Sequence, residues 1–139
     1  AYSLSKGEES IGYAGAFSGA MEETPTQIPG LGKTHVYAGY QRTTLFQVAE
    51  DLGSTKAMFY GHDHKNSFCA EYSLSPEKEP IALCYGLKSG HGLAYQQGRI
   101  GGNLAEIKAD GGLELFRCYQ EYEEDYSSQN GYRQERMFQ

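Results

Sequence analysis

Two histidines separated by a single residue, His62 and His64, are the side chains of this sequence best suited to chemistry. A neutral imidazole carries one nitrogen lone pair, which suits it to borderline-soft cations such as iron, zinc or manganese. In an extended backbone alternate residues share a face, so His62 and His64 point the same way and Asp63 points the other. Gly61 stands just before them and lets the backbone approach whatever they hold. Two imidazoles are half of a metal site. The rest must come from other donors, for which carboxylates are suited.

The elements that must position this pair lie immediately upstream. Ala57, Met58, Phe59 and Tyr60 form an apolar run of strand length. Before it, Thr44 and Gln47 have the spacing of a capping box. Leu45, Val48, Ala49 and Leu52 then follow the stripe of a helix with one buried face, and Glu50 and Asp51 fall on its outer side. Gly53 supplies the stop. Helix, short turn, buried strand and functional loop is the order in which layered α/β folds build sites at strand ends. The fold expected is therefore α/β.

Downstream, residues 67–73 alternate as a strand, 75–80 form a proline-bounded turn, and 81–85 are a continuous apolar strand. Residues 86–98 make a glycine-rich loop bearing Lys88, His91, Tyr95 and Gln96, long enough to serve in binding. Asp110, Gly111 and Gly112 join strands 103–109 and 113–122 into a hairpin. Residues 1–41 read as a loop-rich segment punctuated by Pro25, Pro29, Gly30 and Gly32, and residues 123–139 as a polar tail that frays or lies over the surface. Gly30-Leu31-Gly32-Lys33-Thr34 has the look of a phosphate-binding loop, but Gln27 occupies the position of its first glycine and no strand precedes it. His35 reads as an ordinary loop histidine.

The bulk composition narrows the classes. At 139 residues and 39% hydrophobic content, the chain can bury a core. A net charge of −6 disfavours general binding to nucleic acid or anionic membranes, and no apolar run approaches a membrane span. The three cysteines, Cys69, Cys84 and Cys118, match no zinc-knuckle spacing and leave at least one thiol unpaired. Buried reduced cysteines are the favoured reading, although Cys69 and Cys84 sit in neighbouring strands and are candidates for a bridge.

The segment from Lys56 to Cys69, with its core Gly61-His62-Asp63-His64-Lys65-Asn66, resembles the last metal motif of the calcineurin-like metallophosphoesterases. It is most similar to the branch related to purple acid phosphatases, in which Asn-Asp-Phe-Cys commonly follows. Here Ser67 replaces that aspartate ahead of Phe68 and Cys69. Further on, Leu83-Cys84-Tyr85-Gly86-Leu87-Lys88-Ser89-Gly90 is similar to the branch's Cys-Tyr-Gly-x-Lys-x-Gly segment. The likeness spans about residues 44–107.

The resemblance implies the C-terminal half of a four-layer α-β-β-α sandwich within residues 42–122. It implies two metal ions of the iron, zinc or manganese class, with His62 on one and His64 on the other. Asp63 and Asn66 would support them from behind, while His91 either approaches substrate or lies at the surface. The substrate implied is a small phosphate ester or a phosphoprotein. The family's acidic motifs (Asp-x-His, Gly-Asp-x-x-Asp, Gly-Asn-His-Asp/Glu) do not occur here, so the chain is expected to lack the N-terminal half of the domain and to be inactive alone. A degenerate relative, or a fragment used for binding or assembly, is the alternative.

Overall fold

A computed structural model describes residues 13–23, 26–28, 32–34, 36, 43–122 and 129–138. Strand β1 (Tyr13–Ser18) is followed by the short hairpin β2 (Thr26–Ile28) and β3 (Gly32–Thr34). Helix α1 (Leu45–Leu52) leads to β4 (Ala57–Tyr60), β5 (Cys69–Ser73) and β6 (Ile81–Tyr85). Three longer strands follow, β7 (Gly101–Ile107), β8 (Leu113–Tyr122) and β9 (Gln129–Arg136).

One sheet has the order β1-β5-β6-β4, with β4 parallel to β6 and the other pairs antiparallel. The second is an antiparallel sheet, β7-β8-β9. Side-chain alternation divides the first sheet cleanly. Tyr72, Ile81 and Leu83 face α1 and pack with Ala49, Phe46 and Met58. Phe68, Ala70 and Tyr85 continue that face towards Val36 and Met21. Cys69, Ala82 and Cys84 point the other way and meet Leu115 and Met137 of the second sheet region.

These contacts correct the expected architecture. With one eight-residue helix among three groups of strands in the described residues, the structure is mostly β rather than the expected α/β half-sandwich. Part of the reason is that strands occupy stretches the sequence presents as loop and tail. β1 is built largely from small residues, yet it pairs with β5, and its Phe17 stacks on Phe68 with ring centroids 5.6 Å apart. β9 is almost wholly polar, so no apolar alternation betrays it. It is held by its ladder to β8, by Arg133 stacked over Tyr119 at 4.3 Å, and by Met137, buried immediately after it. Gly32, Lys33 and Thr34 lie in a β-hairpin, not in a phosphate loop. Gly30, Leu31 and His35 fall outside the described residues.

Helix α1 is present where expected but turned about its axis. Thr44 makes no side-chain cap, and Leu45, Val48 and Leu52 are 65, 50 and 72% exposed. The inward face is Phe46, Ala49 and Glu50, because Phe46 packs against the Tyr72 ring at 5.3 Å. Glu50, expected outside, is buried and accepts the Leu74 amide at 2.6 Å. Gly53 ends the helix in the left-handed conformation, its amide reaching the carbonyls of Ala49 and Glu50. The hairpin of β7 and β8 turns at Asp110-Gly111-Gly112 as expected.

Cys69 and Cys84, fully buried partners on adjacent antiparallel strands, form a disulfide, and Cys118 is free. Closing a loop of 15 residues contributes about 3 kcal/mol in the chain-entropy account. No helix among the described residues is long and apolar enough to cross a membrane.

Candidate functional site

The histidines sit where the parallel pair β4 and β6 ends. The Gly86 amide donates to the Tyr60 carbonyl at 2.8 Å and closes the strand ends together. Beyond Tyr60 the chain does not stay extended. His62 adopts a left-handed backbone (φ 78°), and Asp63 to Asn66 make a tight turn in which the Asn66 amide reaches the Asp63 carbonyl at 3.2 Å. The extended-strand argument for where the rings point therefore fails. Gly61 is not crowded either, since a side chain there would meet open space.

Burial of Asp63 organises the turn instead. Its carboxylate has no exposed surface. One oxygen accepts from the Tyr85 hydroxyl at 2.7 Å and from the Asn66 amide group at 3.2 Å; the other lies 2.9 Å from His62 Nδ1. Asn66 in turn accepts the backbone amides of Glu22 and Glu23 at 3.1 and 3.2 Å. The Lys65 amide donates to the Glu23 carboxylate, and the Ser67 amide to the Ala20 carbonyl. The segment after β1 is thus laced to the histidine turn by polar bonds. A buried carboxylate is tolerated only under such satisfaction. Burial, together with the bond to Asp63, holds the Tyr85 phenol well above its ordinary pKa, so it remains a donor.

Both rings are held at Nδ1. His62 Nδ1 lies against a carboxylate that also accepts from Tyr85 and Asn66. His64 Nδ1 lies 3.0 Å from the Ala94 carbonyl, which can only accept, so that nitrogen donates. The His62 side chain is 77% exposed, and His64 is half-buried. One ring is backed by a carboxylate and the other by a backbone carbonyl, the two kinds of partner that orient metal-binding histidines.

His91 lies in the same glycine-rich loop as Ala94, half-buried and edge-on to Tyr95, with ring centroids 5.5 Å apart. The loop reaches the histidine turn through the carbonyl of Ala94. Among the described residues, no three His, Cys, Asp or Glu side chains converge as a metal site. A cleft of about 660 Å3 lies between the two sheets, at the Lys56 end of β4, away from the histidines.

Sequence reasoning singled out His62, Asp63, His64 and Asn66, but missed Tyr85, Arg117 and the clamp formed by residues 20–23. Tyr85 is hidden in a continuous apolar strand. Arg117 leaves a signal: in β8 it stands between Leu115 and Tyr119 on the inward register, where an unsupported charge would be costly. The clamp binds mainly through backbone atoms, which leave no mark in a sequence.

Comparison of the chain with protein families, with characterised proteins and with solved structures returns no match.

Proposed function

We propose that His62 and His64 are ligands to two metal ions in a phosphate-ester hydrolase, one histidine to each ion. The observation that carries this reading is the pair of acceptors behind the rings: Asp63 and the Ala94 carbonyl hold both Nδ1 atoms, the backing that orients metal-binding imidazoles. The donor type fits iron, zinc or manganese. The number of donors is incomplete among the described residues, so bridging carboxylates must come from elsewhere.

When bound, two such cations neutralise phosphoryl oxygens and ionise a water near neutral pH. The residues of this chain supply orientation and basicity. Asp63 polarises the His62 ring, and Tyr85 and Asn66 hold Asp63 in place. The substrate class is a small phosphate ester or a phosphoprotein. A second reading, a binding or assembly module that keeps the histidine turn without turnover, is favoured by the exposed stripe Leu45, Val48 and Leu52.

Equilibration with Co2+ tests the ligand assignment. Expected is uptake with a visible ligand-field spectrum, lowered in His62→Ala and in His64→Ala and lost in the double variant. Absence of uptake, or uptake indifferent to both histidines, sinks it. Hydrolysis of an aryl phosphate by the metal-loaded protein, once completed by the chain that supplies the carboxylates, separates the hydrolase from the binding module.

A further inference from the structure

We infer that Arg117 is a positioning residue for the histidine turn; as a statement about metal binding, this rests on the function proposed above. Arg117 belongs to β8 in the second sheet and is fully buried. A guanidinium out of water is tolerated only where its donors are met. Here its Nε donates to the Ser67 carbonyl at 2.8 Å and one Nη to the Ser18 hydroxyl at 2.9 Å. The other Nη faces Glu135 at 3.5 Å.

Ser67 is the residue through which the histidine turn leaves for β5. Its carbonyl is held by Arg117 and its amide by Ala20, so its position is fixed from two sides. Asn66, immediately before it, grips the Asp63 carboxylate and the amides of Glu22 and Glu23. Asp63 then holds the His62 ring through Nδ1. A chain of contacts runs from the second sheet to a candidate ligand: Arg117, Ser67, Asn66, Asp63, His62.

Gly19 gives an independent sign that this packing is specific. It has φ +96°, and a Cβ there would lie 2.4 Å from the Ser67 carbonyl oxygen and 2.6 Å from an Arg117 Nη. The chain after β1 passes against the guanidinium so closely that a side chain at 19 has no room. Lysine cannot replace the arginine, since an ammonium lacks the planar fork that serves Ser67 and Ser18 at once.

The test is Arg117→Lys, with Ser18→Ala as a milder variant that leaves the guanidinium in place. Amide exchange reports order in the turn, and Co2+ affinity together with the His62 Nδ1–H signal in 15N spectra reports ligand presentation. In Arg117→Lys, we expect the Asn66 and Ser67 amides to exchange about tenfold faster while those of β7 and β8 stay protected. Co2+ binding weakens about tenfold, the usual scale for a lost supporting contact, and the His62 Nδ1–H signal broadens. Ser18→Ala changes the same readouts in the same direction by about threefold. A folded Arg117→Lys with unchanged turn exchange and unchanged Co2+ affinity overturns the inference. If Arg117→Lys does not fold, unchanged readouts in Ser18→Ala overturn it. Failure of the unsubstituted protein to take up Co2+ removes the metal reading instead, and amide exchange and the His62 signal still decide the role of Arg117.

Discussion

The segments on either side of β4 meet water in opposite ways. Helix α1 leaves Leu45, Val48 and Leu52 exposed, whereas the turn after β4 buries Asp63, Asn66 and Ser67. The helix is docked by one ring contact, a small core, the bond from Leu74 to Glu50 and an exposed ion pair from Lys78 to Asp51. The turn is docked by a polar lattice whose members satisfy one another. Apolar contact tolerates rotation and small substitutions. A buried polar lattice does not, because each lost partner strands another group without water. Of these two segments, the turn that carries the histidines is therefore the less tolerant of change.

Removing the lattice's central member should have the largest effect on that contrast. Asp63→Ala removes the acceptor shared by the Tyr85 hydroxyl and the Asn66 amide group, and we expect a loss of about 3 kcal/mol in urea unfolding. It should also remove the partner of His62 Nδ1, visible as a change in the ring's 15N signals. A loss below about 1 kcal/mol would mean that water replaces the carboxylate and that the lattice is not what fixes the turn.

Tyr85→Phe comes next, with an expected cost of about 1–2 kcal/mol near neutral pH. It also has a pH signature. The folded phenol titrates above its ordinary value, chiefly from burial and then from its bond to Asp63. Its stabilising contribution is therefore complete below the unfolded value of about 10, and falls as pH rises from there towards the folded value. Unfolding measured from pH 8 to 11 should show that decline in the parent and a shallower one in Tyr85→Phe. Tyr60 and Tyr119, also raised by burial, keep some slope in both proteins.

The smallest effect is expected on the helix. Leu45→Gln with Leu52→Gln should change stability by less than about 0.5 kcal/mol, as for exposed positions generally. A much larger loss would show that this stripe is covered in solution and would favour the assembly reading.

The strands at 57–60 and 81–85 were readable as apolar runs of strand length, the one at 69–73 by its alternation, and the hairpin by its turn at Asp110-Gly111-Gly112. The rotation of α1 was not, because Leu45, Val48, Ala49 and Leu52 form the better apolar stripe, and only the position of the Tyr72 ring turns Phe46 inward. β9 escaped because its apolar anchor, Met137, follows the strand instead of lying within it. At the site, side-chain chemistry marked His62 and His64, but the left-handed turn at His62 and the grip on Asn66 arise from tertiary bonds to backbone atoms.

His64 leans on an oxygen that every amino acid possesses. The state of its ring is set by where the chain runs at position 94, and by nothing that a replacement side chain there takes away. Sequence drift through the glycine-rich loop can thus leave the ring undisturbed while the path is kept. A one-residue deletion in that loop would misalign it with every named side chain still in place.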